Sequence, residues 1–270
     1  RLGDVQPLIE ALGRAAMPVP VAETMAARAL LARAGLPAPE GFIVLARFSA
    51  GASVGASVPL GLAADHALVE EGASLGLYKI ADLARTPTGV HGSLGAFFHR
   101  GEAAPQAVLA APEGGLRPIA AVLRAADMAG AANRLLEMTT GWANERVQFG
   151  KPIGRQQAIQ QQMAVMAELC VAMRMACQIG CMSGLPPQPE AAATAKYTAS
   201  SAASEVANIA HAVHGAIGIS EECDVQLYTR RLREWRLADG SEQYWAQVLG
   251  QRRLDCAEES SVDFIRRCCA

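Results

Sequence analysis

The sequence predicts a mainly α-helical protein in which a small β domain precedes a four-helix bundle. Three observations carry that expectation. Alanine is abundant while aromatic residues make up only 5% of the 270, a composition suited to helices whose backbones approach closely. From Ile119 onward, apolar residues recur at helical steps of three and four. Between about 40 and 115, short β-like runs instead alternate with clusters of glycine, serine and proline.

Residues 8 to 34 read as one or two short helices, with Leu8, Leu12, Met25, Ala29, Leu30 and Ala34 on apolar faces and Pro18 and Pro20 as interruptions. Gly35, Pro37 and Pro39 mark a boundary. Strands are expected at Phe42 to Leu45, Ala67 to Val69, Leu75 to Ile80 and Ala107 to Ala110. Two glycine-bounded segments, Gly51-Ala-Ser-Val-Gly55 and Gly72-Ala-Ser-Leu-Gly76, carry neither a P-loop lysine nor a three-glycine fingerprint, so they read as turns.

After Gly114-Gly115 and Pro118 the chain turns helical. Ile119, Val122, Leu123, Ala126, Ala129, Leu135, Met138 and Trp142 keep one face of a long helix. In the next, Ile159, Met163, Met166, Cys170, Met173, Cys177 and Gly180 form an antiparallel bundle seam. A corner at Gly184 to Pro189 leads to an alanine-rich helix, Glu190 to Val213, which breaks at His214-Gly-Ala-Ile-Gly218. A charged segment from Glu221 to Arg236, the turn Asp239-Gly-Ser241 and a last helix from Glu242 to about Cys256 complete the bundle. The expected divisions are 1–36, a remnant of an N-terminal helical domain; 37–115, a reduced β-rich domain; and 116–270, the four-helix bundle.

Composition excludes several classes of function. With 24 basic against 26 acidic residues and a net charge of -2, nothing suggests a sequence-independent grip on nucleic acid or an anionic membrane. The patterning suggests neither a membrane span nor a signal peptide, so the expected location is the cytoplasm. Cys170, Cys177 and Cys181 share one apolar stripe and read as buried reduced thiols, and the five histidines do not fall at zinc-like spacing to them. No metal is expected.

The chemistry-bearing residues collect at the corners. Arg146 and Phe149, three apart, are expected on the last turn of the long helix, with Gly150 and Pro152 forcing the corner. An arginine forks onto phosphate oxygens and a phenyl face lies against a planar heterocycle, so the pair suits a pyrophosphate cofactor; a solvated charge beside a core ring is the alternative. The glycines at 215 and 218 suit either an anion nest or a plain helix break. Asp239 reads as an N-cap or turn carboxylate, or as a base.

Taken in order, these corners resemble the C-terminal helical domain of acyl-CoA dehydrogenases. The matching text is Arg146-Val-Gln-Phe-Gly-Lys-Pro-Ile153, Gln157-Ala-Ile159, Met163-Ala164, Ala193-Thr-Ala-Lys196, Val213-His-Gly-Ala-Ile-Gly218, Leu227-Tyr-Thr-Arg230-Arg231 and Asp239-Gly-Ser241, across residues 119 to 256. Residues 10 to 36, with Leu12-Gly-Arg14, Pro18-Val-Pro20 and Glu23-Thr24, resemble the closing helices of that family's N-terminal domain.

The resemblance implies a helical domain, a β domain and a four-helix bundle, with FAD held between subunits. It implies that Arg146, Gln148, Phe149 and Gln157 hold the adenosine diphosphate end of a neighbouring subunit's FAD. Gly215 would line the pyrophosphate, and Ser241 and Gln243 would touch the adenosine. The implied reaction is α,β-dehydrogenation of an acyl-CoA thioester, in which a carboxylate removes the α proton while the β hydride passes to the flavin.

Asp239 occupies the place of the family's glutamate base, one methylene shorter and so about 1.5 Å less in reach. Gln156 and Ala212 replace a phenylalanine and a glutamine of the family pattern. The implied partners are an acyl-CoA substrate, further subunits in a homo-oligomer or hetero-oligomer for which the alanine-rich faces need a mate, and an electron-transfer flavoprotein as acceptor. In a hetero-oligomer the chain would complete the FAD site of a fuller subunit; the alternative is an inert oligomerisation subunit. Small residues at Gly130, Ala131 and Ala132 are expected to leave room for a bulky acyl chain.

Overall fold

A computed structural model describes residues 1–48, 52–99, 101–256 and 258–268. The chain divides into two compact units, one running Met17–Leu123 and the other gathering Arg1–Ala16 with Arg124–Ala270.

The Met17–Leu123 unit opens with helix α2 (Val21–Arg33), following α1 (Leu2–Arg14) of the other unit. Pro18 and Pro20 fall between the two helices, where a missing N–H costs no ladder bond. Thr24 ties α2 to the sheet. Its hydroxyl donates to the Pro20 carbonyl at 2.7 Å and accepts from the Ile43 N–H at 2.8 Å.

A four-stranded sheet has the order β1 (Ile43–Arg47), β3 (His66–Glu71), β4 (Ser74–Lys79), β7 (Ala107–Ala110), with β1 and β3 parallel and the remaining pairs antiparallel. All four strands lie where the sequence places them. A second, three-stranded sheet was not expected: β2 (Val54–Val58), β6 (Ala96–His99) and β5 (Arg85–Pro87), in the order β2-β6-β5. Val44, Ala46, Val58, Val69, Tyr78 and Phe98 form part of this unit's core.

Gly72 has φ +68° and turns β3 into β4. Gly51 lies outside the described residues, whereas Gly55 is a buried strand residue of β2 rather than a turn glycine. Gly76 is also in a strand: a side chain there would meet the Tyr78 ring at 2.6 Å.

Helix α3 (Arg117–Glu145) begins in this unit and continues into the second. There it is joined by α4 (Gln157–Met182), α5 (Pro189–His214), α6 (Val225–Leu237) and α7 (Glu242–Asp255). A short α8 (Ser261–Cys268), which the sequence reading omitted, follows; Cys269 lies outside the described residues. The α4 seam is buried at Met166, Cys170, Met173, Cys177 and Gly180, and packs against the alanine face of α5 and the inner face of α3. Small side chains let α4 and α5 pack along their length.

Burial pushes the Cys170 and Cys181 thiols up to about 12 and Cys177 well above its ordinary value, so all three are inert packing groups at neutral pH. Among the described residues, α4 is the one helix long and apolar enough by composition to cross a membrane.

Helix α1 packs on this bundle, and two glycines permit it. A side-chain carbon at Gly130 would lie 1.9 Å from the Glu10 carbonyl oxygen, and one at Gly13 would lie 2.0 Å from that of Asp127. Ala131 and Ala132 are fully buried in the core. The small residues at 130–132 therefore admit the close approach of α1 and core packing, rather than the acyl chain expected from the sequence.

Candidate functional site

The structure places the predicted site residues in two groups. The first is built where α3 ends. Arg146 donates its N–H to the Trp142 carbonyl at 2.9 Å, the last helical bond, and the chain then forms a small hairpin of β8 (Val147–Gln148) and β9 (Lys151–Pro152). The Ile153 N–H donates to the Arg146 carbonyl at 2.8 Å and closes it.

Phe149 and Gly150 make the two-residue turn with φ of +52° and +77°, the double left-handed geometry of a hairpin turn. Arg146 and Phe149 are therefore not on a helical turn as expected. Strand pairing replaces helical bonding from Val147 onward, and the ring is carried to the hairpin tip.

At that tip Phe149 is 92% exposed. A phenylalanine held left-handed, with its ring in solvent, pays backbone strain on the order of 1–2 kcal/mol and gains no burial within the chain. Gln148 is exposed and its amide donates to the Val147 carbonyl at 2.9 Å. Gln157 is exposed at the first turn of α4.

Trp142 joins this hairpin to the α5 corner. The Arg146 guanidinium lies 5.9 Å from the Trp142 ring centroid, and the His214 imidazole stacks on Trp142 at 5.5 Å and 17°. His214 is buried, its Nδ1 is 2.8 Å from the Ala210 carbonyl, and burial pulls its pKa down, against that hydrogen bond. The ring is neutral at pH 7. Gly215, the next residue, has φ +67° with open space where a side chain would project. Among the described residues Arg146 has no carboxylate partner.

The second group sits at the α6–α7 corner. Asp239 has φ +59° and Gly240 +105°; a side chain at 240 would meet the Trp245 indole nitrogen at 2.6 Å. Ser241 caps α7, its hydroxyl accepting from the Tyr244 N–H at 3.4 Å, and Gln243 is exposed on the first turn. Asp239 is thus the turn carboxylate and Ser241 the N-cap.

Two residues to which sequence reasoning assigned no role hold this corner. Lys196 is fully buried and its Nζ lies within hydrogen-bond distance of four oxygens, the carbonyls of Trp235 at 2.9 Å, Arg236 at 3.0 Å and Gly240 at 3.0 Å and the Ser200 hydroxyl at 2.7 Å, which share its three N–H donors. It closes the C-terminus of α6 and pins the turn. Burial pulls its pKa down to about 7, against the pull of Asp239.

Arg124, on α3 and 2% exposed, reaches the Asp239 carboxylate at 3.7 Å and Asp127 at 3.4 Å. Its guanidinium lies 4.9 Å from the Trp235 ring centroid. The signal for both was present: Arg124 is a lone charge within Ile119 to Ala126, and Lys196 stands among buried alanines at 192, 195 and 199.

Lys196 and His214 are about 27 Å apart along α5, at about 1.5 Å per residue. The structure therefore brings Arg146, Phe149, Gln157 and Gly215 to one end of α5 and Asp239, Ser241 and Gln243 to the other. The first group suits a dinucleotide's diphosphate and heterocycle: a guanidinium without a carboxylate, a ring in solvent, and a backbone corner that a side chain does not block. In the second, the carboxylate already has a buried guanidinium beside it.

Residues 119–254 match the family model for the C-terminal domain of acyl-CoA dehydrogenases. The acyl-CoA dehydrogenase IpdE2 of Mycobacterium tuberculosis is 33% identical over 246 residues, covering 85% of this chain and 71% of that protein. IpdE2 of Mycolicibacterium smegmatis is 42% identical over 139 residues, 52% of this chain and 40% of that protein. Among solved structures, a chain of the ChsE4-ChsE5 complex from Mycobacterium tuberculosis matches with a TM-score of 0.76 at 24% identity, covering 95% of this chain and 80% of that one, a likeness of fold.

Proposed function

The chain belongs to the acyl-CoA dehydrogenase family, and from that premise we propose that it is a subunit of a flavoprotein oligomer that α,β-dehydrogenates an acyl-CoA thioester. Its Arg146 hairpin completes the FAD site of a neighbouring subunit. The observation that carries this reading is Phe149, strained and 92% exposed on a hairpin tip beside an arginine that has no carboxylate partner among the described residues. A chain that keeps an exposed aromatic ring in a disfavoured backbone conformation has a use for it outside its own core.

In this reading Arg146 pairs with the diphosphate, Phe149 lies against the adenine, and Gln148, Gln157 and the Gly215 backbone supply polar contacts to the same end of the cofactor. Ser241 and Gln243, at the other end of α5, serve a different cofactor molecule or the same one through a second subunit. When bound, FAD supplies the two-electron acceptor for the hydride that leaves Cβ as Cα loses its proton.

The partner is a further subunit of the same family, identical or not; the solved ChsE4-ChsE5 neighbour is by its name a complex of two kinds of chain. An electron-transfer flavoprotein is the proposed acceptor for the reduced flavin, and the cytoplasm the proposed location. The second reading, an inert oligomerisation subunit, is favoured by the engagement of Asp239 with Arg124.

Arg146→Glu separates the two. An FAD-site subunit, co-expressed with the neighbouring acyl-CoA dehydrogenase subunit, loses flavin from the purified complex while its assembly by size-exclusion chromatography is unchanged. A scaffold retains the flavin content of the wild type.

A further inference from the structure

The family resemblance gives Asp239 the place of the base, yet its surroundings are those of a buried counter-ion. Its side chain is 9% exposed and lies 3.7 Å from the Nε of Arg124. Arg124 is itself out of solvent and shared with Asp127, and its guanidinium is near Trp235, with that of Arg231 5.5 Å from the same ring centroid.

The backbone on either side is fixed as well. The Asp239 carbonyl accepts from the Trp245 indole N–H at 3.2 Å, and the Gly240 carbonyl accepts from Lys196 at 3.0 Å. For the carboxylate to reach a substrate Cα it would have to leave a buried cation with one fewer anion. Its side chain is also one methylene shorter than a glutamate's.

The geometry points to Asp239 as the structural counter-ion of Arg124 and not a base, with Arg124 and Lys196 as positioning residues of the α6–α7 corner. Asp239 then serves the stability of the corner and not the removal of the α proton. This inference rests on the reading of the chain as an FAD-site subunit, because the question of a base arises only where an assembled flavoprotein removes the α proton of a bound acyl-CoA.

The test uses the co-expressed complex and three measurements: flavin content, thermal midpoint, and turnover of an acyl-CoA with a dye acceptor. Asp239→Asn is expected to lower the midpoint by roughly 5–15 °C. Turnover per bound flavin, measured below that midpoint, is expected to stay within about threefold, because loss of a general base costs on the order of 10²–10⁴.

Combining it with Arg124→Met is expected to cost less than the two single losses summed, since no lone buried cation remains. The inference is overturned by an unchanged midpoint, by additive losses, or by a hundredfold fall in turnover at full flavin content. A wild-type complex without flavin overturns the functional reading instead, and the midpoint and additivity results then decide the counter-ion role alone.

Discussion

Replacing Phe149 by asparagine separates what the hairpin needs from what the cofactor needs. Phe149 and Gly150 both have positive φ, the geometry that Asn-Gly satisfies with least strain. Relief of a left-handed phenylalanine returns about 1–2 kcal/mol. With 92% of the residue exposed, almost no burial is lost in exchange. A gain of about 1 kcal/mol raises the melting temperature of a unit this size by roughly 2–4 °C. The same change removes a stacking surface worth about 1–3 kcal/mol, which weakens flavin binding roughly 5- to 150-fold. Scanning fluorimetry of the chain without flavin, and flavin titration of the assembled oligomer, measure the two effects separately. A lower melting temperature would show that Phe149 is packed rather than strained. A higher one with unchanged flavin affinity would remove the hairpin tip from the cofactor site.

Two further outcomes follow from the bundle. Lys196 carries a pKa pulled from 10.5 to about 7 by burial, against Asp239 and Glu242 and with the help of Arg124 and Arg236. Between those values the unfolded chain holds the proton and the folded chain does not, so stability rises with pH. Urea melts should show the wild type gaining on Lys196→Met by up to about 1.4 kcal/mol per pH unit above pH 7; a flat difference would mean the four oxygens around Nζ keep it charged. Gly130→Ala puts a carbon 1.9 Å from the Glu10 carbonyl oxygen, and should destabilise the protein by about 1–3 kcal/mol with earlier proteolysis of α1. Unaltered melting and cleavage would show that α1 is not seated on α3.

The bundle was legible because burial follows period. Met166, Cys170, Met173 and Cys177 had to face inward once α4 was a helix, and they do. The Arg146 corner was located but not its shape, since Phe-Gly carries no hairpin signal and only pairing of Val147 with Pro152 reveals the turn. Strands β2, β5 and β6 are not legible in the sequence because Gly55, Ser57 and Pro87 dilute a β pattern that tertiary pairing supplies instead. The contacts of Arg124 and Lys196 were beyond sequence reasoning for a different reason. A lone charge in an apolar run announces that it has a partner, and Asp239 and the Gly240 carbonyl are 115 and 44 positions away.

In the proposed assembly the Arg146 hairpin acts on a cofactor held by another subunit. The ratio of flavin to chain tests it most directly, measured by absorbance on the isolated monomeric chain and on the assembled oligomer. The monomer is expected to hold no flavin, and the oligomer to hold flavin that Arg146→Glu removes without dissociating it. Flavin retained by the monomer, with the Arg146→Glu oligomer as fully loaded as the wild type, would contradict that role of the hairpin.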